Sequence, residues 1–187
     1  MNLLQIIQIT IFFVGTVFIV RVSYKSLRSL KVHGFYRFFV FEFTLALVLI
    51  NIPHWIENPF SPRQIISWIF LFISLLFVIQ SFYSLSKYGG NKKREDYSAN
   101  FEFENTVNLV KKGIYKFIRH PMYGSLLFLS FGAMLKNISV FTVSLAVLTL
   151  IFVTITAKIE EQENIKYFGA DYEKYMKGTK MFVPYLL

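Results

Sequence analysis

An all-α, polytopic membrane protein with about five transmembrane helices is the fold this sequence predicts, and three observations predict it. Hydrophobic residues make up 55% of the 187-residue chain and aromatic residues 19%, with a mean hydropathy of +0.49, beyond what an ordinary soluble domain carries. The apolar residues form separate long runs, each near the ~20 residues that a bilayer crossing needs. Lys and Arg gather at the edges of those runs, so the net charge of +9 reads as membrane topology rather than as a nucleic-acid surface, and no nucleic-acid partner is expected. The chain contains no cysteine, which excludes disulfides, thiolate catalysis and Cys-based metal sites, and no metal centre is expected. Residues 1–187 read as one integral membrane domain.

The first span is expected from about Leu3 to Val20. It lacks a basic leading segment and a small-residue cleavage site, so it reads as a retained anchor. The second, about Phe38 to Ile52 with a possible start at Phe35 or Tyr36, carries Glu42, and a carboxylate inside a span is costly unless it faces a partner or a cavity. Glu42 is therefore a candidate substrate-path residue or the partner of a basic group. Pro53, Asn58, Pro59 and Pro62 mark a loop before the third span, about Gln64 to Leu85. The fourth is expected from about Pro121 to Leu135, short for an upright crossing, with Lys136-Asn137 turning into a fifth from Ile138 to Ala157. Helix five should run on to about Tyr167 and stop at Gly169, which suits a helix C-terminus, and an amphipathic tail follows. His33 and His54 sit in no motif and read as surface residues.

Basic loops alternate with poor ones. Arg21, Lys25, Arg28, Lys31 and Arg37 follow span one; Lys87 to Arg119 holds the densest group; Lys158, Lys166, Lys174, Lys177 and Lys180 lie in the tail. The positive-inside rule then puts the N-terminus outside and the C-terminus in the cytoplasm. The long loop and the tail share that side. Between them lies the most informative stretch, Gly113 to Tyr123, where Arg119, His120 and two tyrosines stand at the mouth of a helix that Pro121 starts. Proline pushes the preceding residue out of the α region, so His120 should be extended, with backbone groups partly free to bind something polar. Glu160 should sit about one turn below the membrane edge, within reach of this hinge.

These residues carry a resemblance. Leu109-Val110, Gly113, Tyr115, Arg119-His120-Pro121 and Tyr123, followed by Glu160-Glu161 and Phe168-Gly169, Tyr172 and Tyr175, are similar to the paired motifs of the isoprenylcysteine carboxyl methyltransferase and phospholipid methyltransferase superfamily. The resemblance covers about 107–184; the first three spans match only in hydropathy. It implies an integral membrane methyltransferase with S-adenosylmethionine as cofactor, in a cytoplasmic pocket made by the loop before span four and the C-terminal helix. By position it implies cofactor contacts at Asn100, Val107, Asn108, Leu109, Val110, Tyr115, His120, Pro121, Met122, Tyr123 and Glu160. The chain has no Gly-x-Gly-x-x-Gly and no βαβ pattern, so a Rossmann methyltransferase is excluded independently. Relatives that methylate a prenylcysteine carboxylate have an arginine four residues before the glutamate, where this chain has Thr156. Threonine cannot clamp a carboxylate bidentately, and Lys158, the nearest cation and a candidate substrate contact, differs in helical phase by about 200°. The implied acceptor is a lipophilic, membrane-embedded molecule or lipid-modified substrate other than that carboxylate, and membrane lipids are the expected surroundings. No catalytic acid or base is assigned.

Two alternatives stay open on the sequence: a non-catalytic membrane scaffold, and an NADPH-dependent membrane reductase of related architecture. The charge bias itself makes a prediction. A topology reporter fused after Leu187 should report the cytoplasm; an external signal there would overturn the orientation.

Overall fold

The structure, a computed structural model, describes residues 2–90, 101 and 104–184. Six α-helices follow in order: α1 (Leu3–Ser23), α2 (His33–Ile50), α3 (Pro62–Tyr88), α4 (Pro121–Met134), α5 (Val140–Phe168) and α6 (Ala170–Gly178), with a 3₁₀ turn at Gly113–Lys116. No strand forms among the described residues. Four helices, α1, α2, α3 and α5, are long and apolar enough to cross a bilayer. The fourth expected span is α4, whose 14 residues rise about 21 Å, less than the ~30 Å hydrocarbon core.

Each start has a local cause. Asn2 caps α1 through a reciprocal pair with Gln5, and Ser139 caps α5 through the same device with Thr142. Ser61 followed by Pro62 begins α3. The end of α5 is Gly169, at φ 59° and ψ −141°, a conformation that side-chain-bearing residues resist. The helix does run past the apolar stretch to Phe168, so Glu160, Glu161 and Glu163 lie within it rather than against the negative end of its dipole.

The strongest packing pairs are α3 with α4 and α2 with α5, while α1 leans on α2 alone among the long helices. In lipid, apolar faces gain little from meeting each other, and close backbone approach has to supply the attraction. The α3–α4 seam does this. Ser67 Oγ donates to the Gly132 carbonyl at 2.7 Å and Ser74 Oγ to the Ser125 carbonyl at 2.8 Å. A Cβ on Gly132 would lie 3.0 Å from the Leu71 side chain and 3.2 Å from the Ser67 carbonyl. Outside this seam, α1 and α3 turn Phe13, Phe18, Phe72 and Leu75 outward, as a lipid-facing surface would.

Three sequence expectations change here. The second helix begins at His33, earlier than expected, because Arg37 is not an interface anchor: it is 4% exposed and folded into the bundle. His33 is fully buried rather than superficial. Lys136, expected in an open turn, is also fully buried, with its ammonium 2.9 Å from Gln64 Oε1 and 3.6 Å from the Trp68 ring centroid. His54 is partly exposed, and its Nδ1 meets Glu57 at 2.6 Å.

Gly132→Leu should lower the melting temperature of the detergent-solubilised protein, since overpacking costs roughly 1–3 kcal/mol. Gly178→Ala, where an added Cβ meets nothing within 4 Å, should leave it almost unchanged. Equal melting temperatures for both variants would show that the seam is not tight.

Candidate functional site

The site forms where the hinge, the foot of α5 and the tail meet. Gly113 sits at φ 65°, which side-chain-bearing residues resist, and a Cβ there would also lie 2.2 Å from Ser84 Oγ, so the position requires glycine twice over. The turn it opens leads through Ile118, which forms a parallel bridge with Lys180. Lys180 N donates to the Phe117 carbonyl at 3.0 Å, Arg119 N to the Lys180 carbonyl at 2.8 Å and His120 N to the Met181 carbonyl at 3.0 Å. The tail thus occupies the hinge amides that were expected to be partly free. His120 lies at φ −122° and ψ 61°, outside the α region as Pro121 demands but short of extended.

The carboxylates at the foot of α5 each meet a different segment. Glu160 Oε2 accepts from the Tyr123 hydroxyl at 2.5 Å, and Glu160 Oε1 lies 3.9 Å from His120 Nδ1. Arg119 Nε donates to Glu161 Oε1 at 2.6 Å, and His120 Nε2 lies 3.4 Å from the same oxygen. Glu163 Oε2 meets His33 Nδ1 at 2.5 Å, and its Oε1 accepts from the His33 amide at 3.2 Å. Arg119 Nη1 also donates to the carbonyls of Met176 and Thr179, fastening the tail.

Beside this cluster opens a cavity with about 90 Å³ of free space at its centre and about 690 Å³ when its open mouth is counted. A nucleoside-sized ligand would extend from this centre into the mouth. The walls are aromatic and acidic: Tyr115, Tyr123, Phe168, Tyr172 and Tyr175, with Glu104 and Glu160. Burial, helped by the nearby carboxylates, pushes the phenols of Tyr115 and Tyr172 upward. They remain neutral hydroxyls. Tyr175 donates to the Tyr115 carbonyl at 2.6 Å and joins α6 to the hinge. Such a chamber suits a cation: carboxylates supply charge, ring faces supply a favourable quadrupole, and a polar rim can order hydroxyls. Among the described residues no group of His, Cys, Asp and Glu could hold a metal ion.

A family model described as phospholipid methyltransferase matches residues 63–171. The chain belongs to the phospholipid methyltransferase family. The matched region starts in α3 and runs through the hinge and the carboxylates into α6, so the resemblance reaches the third span, further upstream than the motifs alone suggested. No curated protein matches the chain.

Of the residues singled out from the sequence, Asn108, Leu109, Val110, Tyr115, His120, Met122, Tyr123 and Glu160 line the cavity. Val107 and Pro121 stand next to lining residues without lining it. Asn100 lies outside the described residues. Lys158 is exposed and outside the lining, and Glu42 faces α1, where Thr16 donates to its Oε2 at 2.8 Å. Thr156 is fully buried and bonds back to the Phe152 carbonyl at 2.7 Å. The alternation of Glu102 and Glu104 with aromatic residues predicts a small amphipathic strand or turn over the pocket; Glu104 does line the cavity, while Glu102 lies outside the described residues. What the sequence reading missed is Arg37 as the support of Glu104. Arg37 Nη1 meets Glu104 Oε2 at 2.6 Å, its guanidinium lies 3.9 Å from the Phe101 ring centroid, and Glu104 also accepts from the Phe101 amide at 3.1 Å. This contact spans 67 positions of chain, and no local motif announces it.

Breaking that part-buried pair should be costly, since Arg37 is itself buried. Arg37→Met strands the Glu104 carboxylate and should destabilise the protein by about 3–5 kcal/mol. Arg37→Met with Glu104→Gln should recover most of the loss in detergent melting. No recovery would mean that Arg37 acts through packing alone.

Proposed function

We propose that this chain transfers a methyl group from S-adenosylmethionine to a lipophilic acceptor within the membrane, at the cavity beside Glu160. The observation that carries the reading is the part-buried Glu160–Tyr123 contact opening into an aromatic, acidic chamber at the end of the bundle. Family membership supports methyl transfer, and it favours this reading over a scaffold or a nicotinamide-dependent reductase. The donor set suits this cofactor: a carboxylate for its ammonium or ribose hydroxyls, and ring faces for its adenine and sulfonium. When bound, the cofactor supplies an electrophilic methyl group on a cationic sulfur.

The chain's own residues do the rest. Glu160 would hold the cofactor's polar end, and the Tyr123 hydroxyl orients that carboxylate. Arg119 fixes Glu161, which in turn flanks His120, so the hinge is held at a set distance from α5. Asn108, Leu109, Val110, Tyr115 and Met122 would form the remaining cofactor wall, with Asn100, Val107 and Pro121 as supporting positions. The neutral tyrosines line the chamber without adding charge. Displacement by an acceptor that is already nucleophilic depends on alignment more than on proton transfer, and no general base is assigned. Because α4 is short and the cavity sits at its mouth, the acceptor would arrive sideways from the bilayer. We place this end of the bundle in the cytoplasm, following the Lys and Arg bias.

Glu160→Gln should weaken S-adenosylhomocysteine binding in calorimetry by at least ~1.5 kcal/mol, about tenfold. Glu163→Gln should leave that affinity near wild type while lowering the melting temperature, because Glu163 serves His33 and does not line the cavity. Equal affinities for all three proteins, or a melting shift with NADPH instead, would remove the assignment.

A further inference from the structure

A second cavity, about 490 Å³, lies on the other side of the hinge–tail bridge. Its charged lining is entirely basic: Lys116 and Arg119 from the hinge, Lys177 and Lys180 from the tail. Phe117, Met176 and Met181 supply apolar walls. Four cations around one concavity repel each other unless an anion shares them. Arg119 is matched by Glu161. Lys177 and Lys180 are exposed and form no side-chain ion pair or hydrogen bond with any described residue. Lys116 only approaches the Phe117 ring, at 5.8 Å.

The position of the cavity narrows the ligand. Lys116 and Phe117 precede Pro121, where α4 turns into the apolar bundle, and Phe117 is 45% exposed. An exposed ring beside lysines at that level suits a molecule whose anionic head lies next to a hydrocarbon chain. A free phosphate would use the lysines and leave the ring and methionines unused. A zwitterionic head would bring its own cation against four others. We propose that this cavity binds the phosphate-bearing headgroup of an anionic phospholipid, separately from the cofactor cavity. The proposal is independent of the methyl-transfer reading.

Arg119 lines both cavities. Its Nε holds Glu161, whose Oε1 lies 3.4 Å from His120 Nε2. A bound phosphate would therefore sit one side chain away from the hinge histidine. The surface charge of the membrane and the geometry of the reaction chamber share that arginine.

The test is melting of the purified, detergent-solubilised full chain with short-chain probes. Dihexanoyl phosphatidylglycerol should raise the melting temperature in a saturable way, while dihexanoyl phosphatidylcholine and glycerol 1-phosphate at the same concentrations should not. Lys116→Gln/Lys177→Gln/Lys180→Gln should weaken phosphatidylglycerol binding at least tenfold. The charge-matched control Lys25→Gln/Lys31→Gln/Lys166→Gln, exposed lysines away from the cavity, should bind like wild type. If the first triple variant does not melt cooperatively, Lys180→Gln alone should still weaken binding severalfold. An equal response to phosphatidylcholine, an equal response to glycerol 1-phosphate, or equal losses in both triple variants would overturn the proposal.

Discussion

Arg119 and Glu161 meet at 2.6 Å where hinge, α5 and tail converge, and the inner architecture depends on that contact. Glu160, Glu161 and Glu163 crowd one stretch of one helix. Unpaired, they would repel each other and pull the end of α5 into water. Each instead takes a partner from a different segment: Tyr123 and His120 for Glu160, Arg119 for Glu161, His33 for Glu163. The like charges thus bring α2, α4 and the hinge to a common point. Through the carbonyls of Met176 and Thr179, Arg119 extends the same network to the tail. Such buried pairs are poor evidence of net stability, because desolvation offsets much of their attraction. Their value here is register: α5 cannot turn or slide without stranding a carboxylate.

The bundle above this network is held by different physics. α3 offers Ser67, Ser74 and Ser81 at a spacing of seven, and α4 answers with Gly124, Ser125, Gly132 and Ala133. Small residues let the backbones approach, and hydroxyls meet carbonyls that lipid could not satisfy. Gly124 is constrained on its far side too, since a Cβ there would lie 2.9 Å from the Phe182 carbonyl in the tail. The seam and the tail therefore fix α4 at both its face and its foot, so a helix too short to cross the bilayer still presents its N-terminus at a fixed depth.

How much of this was legible follows from the range of each interaction. The hinge, the Gly169 stop and Glu160 were legible because their signals are local: proline geometry, a glycine at a helix end, a motif of fixed spacing. Arg37, His33 and Lys136 were not. At a span edge, a basic residue that anchors to water and one that folds inward look the same in sequence, and only a distant partner separates them. His33 finds its partner 130 positions away and Lys136 finds its own 72 away. The serine spacing in α3 was readable as a small-residue stripe and marks the seam. Tyr172 and Tyr175 were visible as motif positions, but that they face the cavity depends on the tail folding back against the hinge, through long-range contacts such as Lys180 to Phe117, Tyr175 to Tyr115 and Arg119 to Met176.

The two ends of the bundle solve one problem, a charge near hydrocarbon, in opposite ways. At the α4–α5 turn, Lys136 is fully buried with no carboxylate recorded against it among the described residues. Gln64 Oε1, the Trp55 carbonyl and the Trp68 ring face share its ammonium, and burial lowers its pKa. Neutral dipoles and a ring quadrupole stabilise the cation without neutralising its charge. That end is a lock: through Lys136 it joins the α2–α3 loop to the α4–α5 turn. The opposite end uses formal ion pairs, with the exposed Lys177 and Lys180 beside them. Helix α5, capped at one end by Ser139 and paired at the other through its three carboxylates, connects the two arrangements.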